Sequence, residues 1–132
     1  MHSNTKYLLK KYVGIPYKAG GMDLNGFDCF GLIRSVVKEF KLPFPDEYTW
    51  TDHAWQSGID DLIKQSRMIK AKTYKLGDLL AIKLEGKISH CGVFIGDRYF
   101  LQTFKTTGCV AVKVNNSKWE RRIVATYRML KD

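Results

Sequence analysis

Hydrophobic residues recur at spacings of three and four over residues 28–40, which predicts a helix with one buried stripe. The apolar positions of that stripe are Ile33, Val36, Val37 and Phe40. A shorter amphipathic helix, ending at Gly14, is predicted around Tyr7, Leu8, Lys11 and Tyr12. A third helix is predicted near residues 53–66, with four inward positions: Trp55, Ile59, Leu62 and Ile63.

The second part of the chain changes to short β-type runs separated by turn residues. The predicted strands cover residues 79–82, 91–95, 99–104, 110–114 and 123–129. The turns between them fall at Gly86, Gly96, Gly108 and residues 115–116. Helices up to about residue 67, followed by a strand meander, indicate an α+β fold.

Length and composition bound the class of protein. The chain has 132 residues, which predicts a single domain over residues 1–132. No apolar run approaches the roughly 18 residues of a membrane span, and the N-terminus lacks the pattern of a secretory signal. Three cysteines are too few, and odd in number, for a disulfide framework. We therefore expect reduced thiols and synthesis in the cytoplasm.

The net charge of +9 favours polyanionic partners such as nucleic acid, anionic lipid or an anionic cell-wall polymer. The basic residues are dispersed and no basic run reaches five. A solvated basic surface and a functional polyanion site therefore both stay open. A nucleic-acid-binding module rests on this charge alone, so no nucleic-acid partner is expected.

Cys29 and His90 are the candidate chemical pair. Cys29 stands at the start of the predicted second helix, where the partial positive charge of the helix N-terminus favours a nucleophilic thiolate. The alternative is a small buried hydrophobic residue, the commoner state of free cysteine. His90 begins a predicted strand, and a histidine beside such a thiol is the minimum for a nucleophile with its general base. A purely structural His90 remains the other interpretation.

Other candidate residues carry weaker signals. Cys91 follows His90, so on a strand it points to the opposite face and is expected to pack inside. Cys109 sits beside Gly108, where we expect an exposed turn. Zinc is not expected, and no phosphate-binding glycine motif is present. Three aromatic residues are interpreted either as core or as the lining of a substrate groove: Tyr48, Trp50 and Trp55.

Two sequence blocks carry a family resemblance. The first comprises Gly-Ile-Pro-Tyr-Lys-Ala-Gly-Gly at 14–21 and Gly-Phe-Asp-Cys-Phe-Gly-Leu-Ile at 26–33. The second comprises Gly-Asp-Leu-Leu at 77–80 and Ser-His-Cys-Gly-Val-Phe-Ile-Gly at 89–96. In order and spacing, over residues 12–105, they resemble the NlpC/P60 cysteine peptidases. That resemblance implies a papain-like fold with N-terminal helices packed on an antiparallel sheet.

The resemblance also assigns roles to individual residues. It implies Cys29 as nucleophile, His90 as base, and Gln102 in the place of the third polar residue, where the family usually has histidine. A neutral amide can hold the imidazole tautomer, as in Cys-His-Asn sites, but it does not offset an imidazolium charge. Tyr17 and Asp28 are implied on the oxyanion and substrate side, with Asp28 also expected to cap the helix.

The activity implied is hydrolysis of peptidoglycan stem peptides, typically between D-γ-glutamate and a diamino acid, with no cofactor. Phe30 and the ending at 119–128 are similar to the phage tail-assembly branch of the family. Other tail proteins are then expected partners, and the virion tail is the expected location after synthesis in a bacterial cytoplasm. Two alternatives stay open: a tail-structural component with little activity, and a thiol acyltransferase or amidase acting on another substrate.

Overall fold

The computed structural model describes residues 1–44 and 55–130, which form both helices and strands. The helices are α1 (Ser3–Tyr12), α2 (Cys29–Glu39), α3 (Trp55–Lys64) and α4 (Ser117–Glu120). The strands are β1 (Met22–Asp23), β2 (Gly26–Phe27), β3 (Met68–Lys70), β4 (Leu79–Leu84), β5 (Lys87–Gly96), β6 (Tyr99–Phe104), β7 (Gly108–Lys113) and β8 (Ile123–Met129).

Six of these strands form one antiparallel sheet in the order β3-β8-β4-β5-β6-β7. Strands β4 to β7 are the predicted meander, because each pairs with the next along the chain. Strand β8 instead returns to lie between β3 and β4. Helices α1 and α2 pack against this sheet, so the predicted α+β fold with N-terminal helices on an antiparallel sheet is confirmed.

Helix α2 forms where its periodicity and its cap both predict it. Asp28 is the N-cap, and its carboxylate accepts a hydrogen bond from the Gly31 N–H at 2.7 Å. The apolar face of the helix is fully buried, at Leu32, Ile33, Val36 and Val37. That face packs against β5 and β6, the strands that carry His90 and Gln102.

Close backbone packing holds the loop before α2 against the helix. A Cβ atom added to Gly31 would lie 1.9 Å from the carbonyl oxygen of Gly21. One added to Gly21 would lie 2.2 Å from the carbonyl oxygen of Gly26. The short β1–β2 hairpin can therefore approach the first turn of α2 only because these positions lack side chains.

An ion pair with a buried carboxylate joins the start of β4 to the end of β8. Asp78, which is 1% exposed, accepts hydrogen bonds from Nε and Nη2 of Arg128 at 2.9 and 2.7 Å. The backbone N–H of Lys75 also donates to the same carboxylate at 2.8 Å. The carboxylate raises the pKa of Arg128 above its usual value.

Two expectations about burial are wrong. Ile63 is 39% exposed, because at about 100° per residue it lies at the edge of the buried face of α3, about 40° beyond Ile59 and about 100° from Leu62. Cys109 is 1% exposed, because it belongs to β7 rather than to a turn. Its N–H donates to the carbonyl of Ile15, and its own carbonyl accepts from the N–H of Gly14.

Several elements had no counterpart in the prediction: the β1–β2 hairpin, β3 and the short α4. Trp55 is a core residue, 2% exposed, whereas Tyr48 and Trp50 lie outside the described residues. Among residues 1–44 and 55–130, no helix has both the length and the apolar character needed to cross a membrane.

Candidate active site

A buried hydrogen bond joins the imidazole of His90 to the side-chain amide of Gln102. Nε2 of His90 and Oε1 of Gln102 are 3.0 Å apart, on the neighbouring strands β5 and β6. His90 is 7% exposed and Gln102 is 0% exposed. An amide oxygen only accepts hydrogen bonds, so Nε2 carries the proton in this contact. In the neutral ring the other nitrogen, Nδ1, then holds the lone pair that a base needs.

Phe104 covers one face of the same imidazole. The ring centroids of His90 and Phe104 are 4.5 Å apart and their planes are inclined by 19°, which is a stacked arrangement. Phe104 also contacts Trp119, with ring centroids 6.1 Å apart. The His90 ring is therefore fixed by a hydrogen bond at one edge and by an aromatic ring on one face.

Cys29 is the first residue of α2 and is 6% exposed. Its neighbour Asp28 uses one carboxylate oxygen to cap Gly31 and the other to accept from the Gly20 N–H at 3.2 Å. The carboxylate thus holds the glycine loop and the first turn of the helix in one arrangement. Helix α2, which begins with Cys29, packs on β5 and β6, the strands that carry His90 and Gln102.

Tyr17 is placed at the start of α2 by backbone pairing with Phe27. The N–H of Phe27 donates to the carbonyl of Pro16 and the N–H of Lys18 donates to the carbonyl of Phe27, both at 3.1 Å. This ladder sets the half-buried Tyr17 next to the residue that precedes Asp28. The candidate residues therefore form two groups, Tyr17, Asp28 and Cys29 at the helix and His90 with Gln102 on the sheet.

The residue that the sequence analysis missed is Phe104. Side chains two positions apart on a strand point to the same face, so Phe104 lies on the face of Gln102. That alternation was visible in the sequence once β6 and Gln102 had been assigned. Nothing in it indicated that the aromatic ring would stack on His90, because that contact crosses to another strand.

The two other thiols lie apart from this arrangement. Cys91 is 0% exposed in the core between the helices and the sheet, as expected from its position after His90. Burial raises the pKa of the Cys109 thiol to about 12, which keeps it protonated near neutral pH. Within the described ranges, no three His, Cys, Asp or Glu side chains come together as metal ligands.

Comparison with known proteins identifies the family. The NlpC/P60 family model matches residues 14–128, and the chain belongs to the NlpC/P60 family. It is 23% identical over 118 residues to murein DD-endopeptidase MepS/murein LD-carboxypeptidase of Escherichia coli (strain K12), covering 89% of this chain and 57% of that protein. It is 26% identical over 121 residues to gamma-D-glutamyl-L-lysine dipeptidyl-peptidase of Bacillus subtilis (strain 168), covering 89% and 37%.

A third relative, the probable peptidoglycan endopeptidase LytE of Bacillus subtilis (strain 168), is 31% identical over 121 residues, covering 90% of this chain and 32% of that protein. The chain thus spans between 32% and 57% of the lengths of these three curated relatives.

Solved structures share the fold. The NlpC/p60 domain of peptidoglycan hydrolase SagA has a TM-score of 0.59 at 23% identity, covering 98% of this chain and 97% of that one. An NlpC/P60 family protein from Bacillus cereus ATCC 10987 has a TM-score of 0.65 at 17% identity, covering 97% and 40%.

Proposed function

We propose that this protein is a cysteine peptidase that hydrolyses peptidoglycan stem peptides at the bond between D-γ-glutamate and a diamino acid. The observation that carries the proposal is the buried hydrogen bond between His90 and Gln102, on strands packed against the helix that begins with Cys29. The names of its relatives, murein endopeptidases and a gamma-D-glutamyl-L-lysine dipeptidyl-peptidase, support the substrate class.

In the proposed mechanism, Nδ1 of His90 takes the proton of the Cys29 thiol and the thiolate attacks the peptide carbonyl. The imidazolium then donates that proton to the leaving amine, which leaves a thioester on Cys29. His90 next activates a water molecule that releases the acyl group. Throughout, Gln102 keeps the Nε2 proton in place, so that Nδ1 always faces the reaction.

The negative charge that develops on the attacked carbonyl oxygen requires hydrogen-bond donors. The first N–H groups of a helix have no intrahelical acceptor, and the N–H of Cys29 is in that position. We assign the backbone N–H of Cys29 and the hydroxyl of Tyr17 as these donors. Asp28 fixes the turn that presents them, through its hydrogen bonds to Gly20 and Gly31.

Digestion of purified peptidoglycan by the wild-type chain and by Cys29→Ala, read by mass spectrometry, tests this function. The wild type should release fragments cut after D-γ-glutamate, and Cys29→Ala should release none. Cys91→Ala is the matched control, because it removes a buried thiol outside the proposed site and should keep the product pattern. Equal products from wild type and Cys29→Ala, or no wild-type products, would exclude the proposal.

We further propose that the protein acts as part of a phage tail. Phe30 and the ending Trp-Glu-Arg-Arg-Ile at 119–123 support this finer assignment. In that setting, hydrolysis serves tail assembly or local opening of the cell wall. Mass spectrometry of gradient-purified virions, with tails separated from capsids, should find the chain in the tail fraction. Its absence from intact virions would contradict tail association without affecting the proposed peptidase activity.

A further inference from the structure

We infer that Phe104 is a positioning residue for the proposed reaction, and that its ring supplies the support for a charged His90 that the neutral Gln102 cannot give. The inference rests on the proposed function, because it concerns the same imidazole. It stands on the stacking of the two rings and on the burial of the Gln102 contact.

The hydrogen bond to Gln102 acts on one atom of the imidazole and does not by itself fix the plane of the ring. A ring lying 4.5 Å away and inclined by 19° restricts that plane, because turning His90 would open a gap against Phe104. The direction in which Nδ1 points is therefore set by Phe104 and Gln102 together.

The chemistry of the ring adds a second effect. In the proposed mechanism His90 passes through a positively charged state, and an amide next to it carries no compensating charge. The face of an aromatic ring attracts a cation held against it, more strongly where water is excluded. Since His90 is 7% exposed, the stacked face of Phe104 is placed to favour the imidazolium that forms when Cys29 is deprotonated.

A second aromatic ring also contacts Phe104. It is half-buried at the end of β6, and its ring packs against Trp119, which also makes an edge contact with Phe100 at 6.3 Å. Phe100 and Phe104 therefore lie on the same face of β6 and both contact Trp119. Of the two, it is Phe104 that stacks on His90. This pair provides a matched comparison between a positioning role and a packing role.

The test compares Phe104→Leu, Phe104→Tyr and Phe100→Leu in the full chain. Hydrolysis of a soluble stem peptide gives kcat and KM. The ¹⁵N spectrum of His90, which needs no substrate, gives its tautomer and the exchange rate of its Nε2 proton. Phe104→Leu should lower kcat about tenfold with KM within about twofold, and should speed exchange of the Nε2 proton about tenfold. Phe104→Tyr should restore both to within about twofold of wild type.

Phe100→Leu should lower the melting temperature while leaving kcat and the His90 spectrum unchanged. The inference is overturned if Phe104→Leu behaves as wild type in both measurements, if Phe104→Tyr is as impaired as Phe104→Leu, or if Phe100→Leu produces the same loss. If the wild type hydrolyses nothing, the proposed function fails. The proton-exchange comparison then decides alone whether Phe104 holds the His90 ring.

Discussion

The oxygen and the nitrogen of the Gln102 side-chain amide differ in their hydrogen bonding. Its oxygen accepts from His90, whereas its nitrogen, fully buried, has no hydrogen-bond partner among the described residues. An unpaired buried polar group costs about 1–3 kcal/mol of stability. Gln102 is therefore a poor choice for packing alone, which agrees with a role toward His90.

Replacing Gln102 by Met should separate activity from stability. Methionine is close to glutamine in length and leaves no cavity, and it removes the unpaired amide nitrogen together with the contact to His90. We expect a free energy of unfolding within about 1 kcal/mol of wild type, since one hydrogen bond is worth about that much. Hydrolysis and Cys29 alkylation should both fall at least tenfold.

Two further substitutions at the same position sharpen this test. Gln102→Ala should lower both rates in the same way, and Gln102→His should retain or raise activity, because a histidine nitrogen can also accept a hydrogen bond from the Nε2–H of His90. Unchanged alkylation and hydrolysis in Gln102→Ala would mean that the third site residue lies elsewhere. Denaturant unfolding and the two rate measurements on the same samples give the answer.

Thiol reactivity gives a prediction that needs no substrate. Cys29 is the first residue of a helix, whereas burial raises the pKa of Cys109 to about 12 and Cys91 is fully buried. Iodoacetamide at neutral pH should therefore modify Cys29 at least tenfold faster than either of the others, and His90→Ala should slow that reaction. Peptide mapping measures all three rates, and equal rates at Cys29 and Cys91 in the folded protein would argue against an activated nucleophile.

At the scale of elements, a polar cluster joins α1 to α2. Glu39 accepts hydrogen bonds from Tyr7, from Lys11 at 2.9 Å and from Tyr12 at 2.7 Å. Burial alone would raise the pKa of Glu39, but these three donors outweigh it and lower the pKa below its usual value. Tyr12 lies in the core, and its burial, with Glu39 beside it, raises its pKa to about 12.

The Glu39 cluster predicts a pH dependence of stability in the acid range. Because the pKa of Glu39 is lower in the folded state, its stabilising contribution is present above the unfolded value of about 4.3 and is lost as the pH falls through the folded value. Glu39→Gln should remove this dependence and cost on the order of 1 kcal/mol at neutral pH. Urea unfolding between pH 2 and 7 measures it, and the exposed Glu85→Gln should leave the profile unchanged.

Local chemistry explains which elements the sequence could predict. Asp28 followed by a stripe of apolar residues specifies α2 almost to the residue, because capping and helical spacing act within a few positions. Strand β3 has three residues and pairs with β8, about sixty positions away. The residues near it along the chain therefore carry no pattern that predicts a strand there. Cys109 was misplaced for the same reason, since its burial depends on pairing with the segment at 14–15.

The residues of the candidate site also differ in whether the sequence could predict them. Cys29, His90 and Gln102 stand in motifs whose order can be compared along the chain, so a one-dimensional comparison finds them. Phe104 belongs to no such motif, and its contact with His90 exists because β5 and β6 are neighbours. Sequence patterns identify the proposed reacting groups, whereas the packing around them is visible only in the three-dimensional structure.

For the whole molecule, the net charge of +9 predicts salt-sensitive association with cell walls. If the charge serves binding to anionic wall polymer, co-sedimentation with purified walls should weaken steeply between 50 and about 300 mM salt, because screening shortens to about 8 Å near physiological ionic strength. Duplex DNA is the control polyanion and should bind less tightly at each salt concentration. Salt-independent retention, or equal affinity for DNA, would remove the wall-specific interpretation.

The position of β8 has a consequence for how the protein is made. This strand, residues 123–129, sits inside the sheet between β3 and β4, and the ion pair of Arg128 with Asp78 secures it. A ribosome must therefore release β8 before the sheet can close, and the pairing of β3 with β8, about sixty positions apart, is the kind of non-local contact that slows folding. A nascent chain that ends before residue 123 carries Cys29, His90 and Gln102 but lacks an interior strand. The sheet that supports the proposed site can therefore be completed only after β8 has been synthesised.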